Sequence, residues 1–452
     1  MTKQEVIDLL EDSRHNKVKV AIVDIDGVLR GKYMHIKKFI SALESGFGFC
    51  DVVFGWDMVD ESYDNVKVTG WHTGYPDMPA RIDVTTFRQI PWENETPFFL
   101  ADFSRENKDE ETVGPRALLK RIQAKSLELG FSPVFSQEFE WFNYRQSSSE
   151  LYEKDFKKVT PLTEGMFGYS ILRSSENSEF FHDLFDLLED FNIPLEGLHT
   201  ETGPGVFEAA IQYTNIVEAA DRATLFKTSV KEIAYKHGVM ASFMAKQNME
   251  LPGCSGHIHQ SLWDAEVKKN LFFDASNKDN ISKTMEHYMA GQLFCLPFIL
   301  PMLAPTINSY KRLVEGAWAP TTLTWAVDNR TTALRALPHG EKSSRLETRV
   351  VGSDVNPYLA MSACLAAGLY GIENKLSLDT PQTIGNGYKE TQYGTLPANL
   401  WDATQAMKNH ELPKELFGEE FVEHFTLSRE WEWRRFMNTV TDWETKRYFE
   451  II

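Results

Sequence analysis

The chain opens on a charged amphipathic helix pattern, MTKQEVIDLLEDSRHNK. Val18 to Val23 then reads as a buried strand, and Asp26-Gly27 as the turn that ends it. Short strand and turn patterns continue to about residue 100, where the polar stretch SRENKDEETVGPR interrupts them. A helix begins after Pro115, with Leu118, Leu119 and Ile122 on one face. Beyond it, helical patterns separate three strand-like segments, SPVFSQEFEWF, SGHIHQSLW and SRLETRVV. The stretch from Glu419 to Ile452 is helical in pattern and rich in aromatics, and no internal repeat is present. These patterns predict an α+β fold with a small N-terminal domain over 1–112 and a large domain over 113–452.

Composition narrows the class. With 452 residues and 42% hydrophobic content the chain is long enough for two cores and reads as ordered and globular. The formal net charge of -18 repels phosphate backbones, which argues against nucleic acid as a partner. Cys50, Cys254, Cys295 and Cys364 lie far apart and form no CxxC pair, so the expectation is a reducing compartment without a thiolate zinc site. The N-terminus lacks the apolar stretch of a signal peptide, and the most apolar window, Leu296 to Leu303, is short and carries two prolines. The expectation is a cytoplasmic protein with no membrane partner.

Four segments place charged or ligating side chains two residues apart, which on a strand means one face. Glu138-Phe139-Glu140 sets two carboxylates side by side, an arrangement that repels itself unless a cation intervenes. His257-Ile258-His259 follows a glycine-rich stretch with Gly253 and Gly256. Arg345-Leu346-Glu347-Thr348-Arg349 alternates cation, carboxylate and cation. In HTETGPGVFE, a Gly-Pro-Gly turn can bring Glu201 and Glu208 to one point. Taken singly, each has a bland reading: a solvated strand edge, a core histidine, a salt-bridge ladder, a decorated loop. Together, five carboxylates and a histidine select a hard cation, Mg²⁺ or Mn²⁺, over zinc.

Arginines extend the pattern. Arg312, Arg330 and Arg335 stand among apolar neighbours such as Leu323, Trp325 and Leu334, where an unpaired charge is costly. Two hard cations and several arginine forks are what a nucleoside triphosphate needs. No GxxxxGK[ST] loop is present, so P-loop chemistry is excluded.

Six ordered motifs, ExE, HTETGPGxFE, GxxxHxHxSL, NSYKRL, NRTxALR and RLExR, resemble those of the glutamine synthetase superfamily, close to its class I enzymes, over nearly the whole chain. The resemblance implies a β-grasp-like N-terminal domain and a catalytic domain built on a curved antiparallel sheet with helices. It implies that Glu140, Glu201 and Glu208 hold the metal on the glutamate side, and that Glu138, His257 and Glu347 hold the metal on the nucleotide phosphates. His259, Ser261, Arg330 and Arg345 resemble phosphate or nucleotide contacts. Arg312 and Arg349, with the backbone at Gly253, resemble the glutamate clamp, and Arg335 the arginine that steadies the phosphoryl group in transfer. The implied substrates are glutamate, ATP and an amine. The implied assembly is a dodecamer of two hexameric rings with shared sites.

Three departures qualify the resemblance. Trp318 stands where glutamine synthetases carry a glutamate that binds and deprotonates ammonium, a task tryptophan cannot perform. The stretch Phe49-Cys50-Asp51-Val52-Val53 replaces the segment whose aspartate binds ammonium across a subunit boundary, although Asp51 or Asp57 offers a substitute. Pro252 replaces a glutamate-contacting asparagine. The first two alter the ammonium half of the site and leave the metal half intact. They point to the γ-glutamyl-amine ligases, with Trp318 as an apolar wall of the amine pocket. Two other readings remain: ordinary glutamine synthesis, and a non-catalytic family member. A third, a phosphatase of the haloacid dehalogenase type, rests only on Asp24-Ile25-Asp26-Gly27.

Overall fold

The computed structural model describes residues 1–104, 113–277 and 279–452. The boundary expected at residue 112 lies outside the described residues.

The N-terminal part is a five-stranded sheet in the order β2-β1-β5-β4-β3. Its strands are β1 (Lys17–Val23), β2 (Leu29–His35), β3 (Phe47–Cys50), β4 (Asp77–Ile90) and β5 (Thr96–Phe103). β1 and β5 run parallel and the other pairs antiparallel. The continuous apolar run in β1 has a physical reason. Val18, Val20 and Ile22 enter a small core with Val6 and Leu10 of the opening helix (Lys3–Glu11), whereas Ala21 and Val23 enter the large core with Leu118, Leu119 and Ile122. A strand buried on both faces has no polar side to alternate with.

The helix Pro115–Glu128 begins with proline at its first position, where no amide donor is needed. Its Arg116 is buried and donates to Asp221 (2.8 Å) and Asp102 (2.6 Å), and it pairs with Asp83 at 2.9 Å. That network joins β4 and β5 to the helix Ile216–Lys236.

The second sheet has nine strands: β6 (Ser132–Tyr144), β7 (Leu195–Thr200), β8 (Val206–Ile211), β9 (Thr214–Asn215), β10 (Met240–Ser242), β11 (Ile258–Trp263), β12 (Trp325–Val327), β13 (Leu334–Leu337) and β14 (Arg345–Thr348). The main path runs β12-β13-β14-β11-β6-β8-β7, and both β9 and β10 pair with β6. It is antiparallel except for β12 against β13. The helices Ile216–Lys236 and Pro357–Glu373 pack with β6, and Lys283–Leu303 packs on Pro357–Glu373, to form the large core. The C-terminal aromatic stretch forms two helices, Glu419–Met437 and Asp442–Tyr448. The apolar window Leu296 to Leu303 ends a buried helix, and among the described residues no helix is long and apolar enough to cross a membrane.

Candidate active site

β6 is the axis of the site. Its pleat turns Phe139 into the core and leaves Glu138 and Glu140 on the opposite face. Strand register then brings in the remaining groups. Glu140 stands opposite Glu208 of β8, and Glu208 stands opposite His199 of β7. On the other side, the Glu138 amide donates to the His257 carbonyl (3.0 Å), and His259 stands opposite Glu347 of β14, which in turn faces Arg335 of β13. Six neighbouring strands therefore deliver one charged face.

The Gly-Pro-Gly turn does bring Glu201 and Glu208 together. Gly205 has φ +71°, and a Cβ there would sit 2.4 Å from the Asn143 carbonyl oxygen, so only glycine permits the turn against β6. The ligating atoms of Glu201, Glu208 and His199 lie within 4.8 Å of one another. Those of Glu138, His259 and Glu347 do so as well. His257 Nδ1 is 3.3 Å from an oxygen of both Glu138 and Glu347. Glu140 accepts from the Ser255 amide at 2.7 Å, beside the first group. The expected ligands thus converge on two adjacent clusters. His199 joins them unanticipated, although its position two residues before Glu201 is the same spacing that marked the others.

The electrostatics favour cations here. Burial, and then the neighbouring Glu138 and Glu140, push Glu208 up to about 8 despite its contact with His199 at 3.1 Å. Burial opposes a charge on His199, but Glu208 and Glu201 raise it to about 9. Burial also works against the Glu347 carboxylate, yet Arg349, His257 and His259 hold it at about 2. His257 is lowered by burial and by Arg349, and its Nε2 is buried with no hydrogen-bond partner among the described residues. Crowded carboxylates and an orphaned imidazole nitrogen fit divalent metal ions bound through oxygen and nitrogen.

The arginines divide by environment. Arg312 is 3% exposed and, among the described residues, donates only to the carbonyls of Val350 and Arg349, each at 3.1 Å. It forms no ion pair among the described residues, and burial lowers its pKa. Gly253 lies against it: a Cβ there would be 2.5 Å from the Ala245 carbonyl oxygen and 3.0 Å from Arg312 Cγ. Arg335 donates to Glu347 (2.8 Å) and to Asp328 (3.0 Å), and Arg349 also pairs with Glu347. Glu347 is thus bridged by two arginines. Arg345 donates to His259 Nδ1 at 3.2 Å. With Glu138, His259 and Ser261 it lines a cavity of about 400 Å³ over β6 and β11. The Arg330 side chain is exposed, and its carbonyl accepts from Arg349 at 3.2 Å.

Trp318 is 62% exposed and has φ +57°, a strained conformation for a bulky residue. Its loop is tied down by the ion pair of Glu315 with Lys389. The neighbouring Tyr388 is raised by burial, an effect opposed by Arg349, Arg312 and the Trp318 backbone. Tyr169 stacks on His199 with ring centroids 4.3 Å apart. The sequence carried no signal for Tyr169 beyond an aromatic residue in a loop.

Asp24 and Asp26 serve a different end. Asp24 is buried, accepts from the Asp26 and Val28 amides of its own turn, and pairs with Arg30 at 2.8 Å. Asp26 pairs with Arg429 at 2.6 Å. This motif stitches the N-terminal sheet to the C-terminal helix and does not present a nucleophile.

The glutamine synthetase catalytic-domain family matches residues 112–448. The chain belongs to this family. It is a carbon–nitrogen ligase, and the family uses ATP and divalent metals. It is 52% identical over 450 residues to type-1 glutamine synthetase 2 of Dictyostelium discoideum, covering 99% of this chain and 86% of that protein. It is 35% identical to a glutamate–isopropylamine ligase of Pseudomonas, covering 99% and 98%. A solved structure described as a GmaS/ADP complex superposes with a TM-score of 0.85 at 26% identity, covering 98% of this chain and 99% of that one. For this glutamine synthetase family member, the two acidic clusters and the cavity beside them are therefore the candidate catalytic centre.

Proposed function

We propose that this family member joins the γ-carboxyl of glutamate to an organic amine, using ATP and releasing ADP and phosphate. The observation that carries the reading is Trp318. An indole stands at the position of the family's ammonium-binding glutamate. Arg312 and Arg349, with the Gly253 backbone, hold the glutamate carboxylate. Arg312 suits this role because it is a buried cation without a carboxylate of its own.

ATP lies along β6 and β11 in the cavity lined by His259, Ser261 and Arg345, with Arg330 at the phosphates. Glu138, His257, Glu347, Glu140, Glu201 and Glu208 hold Mg²⁺ or Mn²⁺, with His199 beside the last two. When bound, these ions neutralise charge on the phosphate and carboxylate oxygens. The γ-carboxylate oxygen of glutamate attacks the terminal phosphorus of ATP, and the bond to the bridging oxygen of ADP breaks. Arg335, close to the cluster through Glu347, balances charge on the phosphoryl group in flight. The amine nitrogen then attacks the acyl carbon of γ-glutamyl phosphate, phosphate leaves, and the nitrogen loses a proton. Trp318 and Tyr169 offer ring faces to an alkyl or aryl group. The domain division at residue 112, the dodecameric assembly with shared sites and a cytoplasmic setting belong to the same proposal.

A panel of amines with ATP and glutamate tests it, with phosphate release measured and the amide identified by mass. An organic amine is expected to exceed ammonia in kcat/KM, and Trp318→Glu is expected to shift the ratio toward ammonia. The name of the Dictyostelium relative favours a second reading, glutamine synthesis. Ammonia as the best substrate would establish that reading and refute ours.

A further inference from the structure

A second cavity, larger than the one beside the acidic clusters, lies elsewhere among the described residues. It measures about 940 Å³ and lies between the helix Ile216–Lys236, the segment Met240–Met244, the loop Asp57–Glu61 and the C-terminal helix. That volume suits a small molecule. It sits behind β6. Phe139 points to this side while its neighbours Glu138 and Glu140 point to the acidic clusters.

Two lysines one helical turn apart, Lys227 and Lys231, line it. Lys227 Nζ lies 5.8 Å from the Phe139 ring and 5.7 Å from the Phe243 ring, and Lys231 Nζ lies 5.7 Å from Phe243. Lys227 donates to the Val355 carbonyl at 2.8 Å, and neither lysine forms an ion pair among the described residues. Of the acidic groups on the wall, two form ion pairs with arginines, and Asp354, one of whose oxygens is buried without a partner among the described residues, acts through its charge on Lys227. Asp26 pairs with Arg429 and Glu61 with Arg435. Asp57 accepts from the Val59 and Glu61 amides, and Asp354 from the Thr306 and Ser309 hydroxyls. Burial pushes Glu432 up, toward its neutral form. Burial also lowers Lys227, to about 7, and lowers Lys231. Lys227, half-buried, and Lys231, exposed at the rim, thus present two ammonium groups without an ion pair among the described residues, on a wall of Phe243, Met244 and Phe436, which an amphipathic anion would complete.

We propose that this cavity is a second ligand site, which takes a small organic carboxylate with an apolar tail, its carboxylate between Lys227 and Lys231 and its tail against Phe243 and Phe436. The tail separates such a ligand from inorganic phosphate, and the charge separates it from a neutral or cationic amphiphile. This site is distinct from the catalytic one and does not depend on the identity of the amine.

Calorimetric titration of the full-length protein with hexanoate tests the proposal, with saturating glutamate and ADP occupying the catalytic centre. Hexanoate is expected to bind about tenfold or more tightly than inorganic phosphate or hexylammonium, the worth of one charge-assisted pair. Lys231→Gln, which leaves the Lys227 bond to Val355 in place, is expected to weaken hexanoate about tenfold. Both lysines are expected to react with trinitrobenzenesulfonate in the ligand-free assembly and to be protected by hexanoate. Equal binding of hexylammonium, an unchanged affinity in Lys231→Gln, or lysines already protected without ligand would overturn it. The last result would mean that another copy of the chain covers the cavity.

Discussion

Replacing Arg312 with methionine separates the cost of burying a cation from the use made of it. The guanidinium is 3% exposed and spends one N–H on the Val350 carbonyl and one on that of Arg349. Arginine has five N–H donors, so about three remain for a ligand. Each of the two carbonyl bonds contributes about 1.5–3 kcal/mol, as bonds from a charged donor do. Against this stands a desolvation penalty of several kcal/mol for an ion that no carboxylate neutralises. The two terms nearly cancel, so the Arg312→Met protein should keep its fold, with a stability change below about 2 kcal/mol. Glutamate binding has no such compensation. Removing one partner of a buried charge pair costs about 3 kcal/mol, which raises the KM for glutamate roughly 100-fold. Since Arg312 acts on the bound substrate rather than on the transferring phosphoryl group, kcat should change little. Thermal melting and steady-state kinetics with glutamate varied read both quantities. A folded variant with the wild-type KM for glutamate would refute the assignment. A large loss of Tm in the absence of substrate would show that the carbonyl bonds, not glutamate, are what Arg312 is for.

The other predictions probe different parts of the molecule. Arg335→Ala should lower kcat by about 100-fold or more with little change in the KM for glutamate, because its charge is needed in transfer; single-turnover phosphate release measures this. Glu208→Gln should relieve carboxylate crowding in the metal-free protein, raising its Tm at pH 8, yet weaken activation by Mn²⁺ at least about tenfold. Asp24→Asn should leave turnover intact, since the carboxylate braces a turn, whereas a phosphatase nucleophile would lose all activity. Asp24 is raised to about 7, chiefly by burial and then by Asp26, so its contribution is fully present below the unfolded value near 4 and is lost as pH rises through 7. The fall in wild-type Tm between pH 6 and 8 should accordingly be smaller in Asp24→Asn.

Some elements were legible because their cause is local. The strand Val18–Val23, the turn after it and the helix after Pro115 follow from burial periodicity and from proline's missing donor. The ExE, HxH and RxExR spacings likewise announced which side chains share a face, since the pleat has a period of two. Other placements depended on which strands pair. His199 enters the metal cluster because β7 pairs with β8, and His259 stands against Glu347 because β11 pairs with β14. The strand-like segments around HIH and RLETR extended past β11 and β14, so His257 and Arg349 lie just outside regular pairing. Both are still placed by close contacts with Glu138 and Glu347.

Sequence by itself determined the chemical inventory of this protein: hard-cation ligands, arginines without obvious counter-charges, and a tryptophan where the family uses a glutamate. It could do so because spacing along one strand is a property of the chain alone. Tertiary structure decided the rest. It set which carboxylates crowd each other, which arginines bridge Glu347 and which stays unpaired, the strained backbone at Trp318, and the lysine-lined cavity behind Phe139. Many of those facts arise from strand register and helix packing between distant segments, as where Glu140 meets Glu208 and Lys227 meets Phe139, and no local pattern encodes such distances.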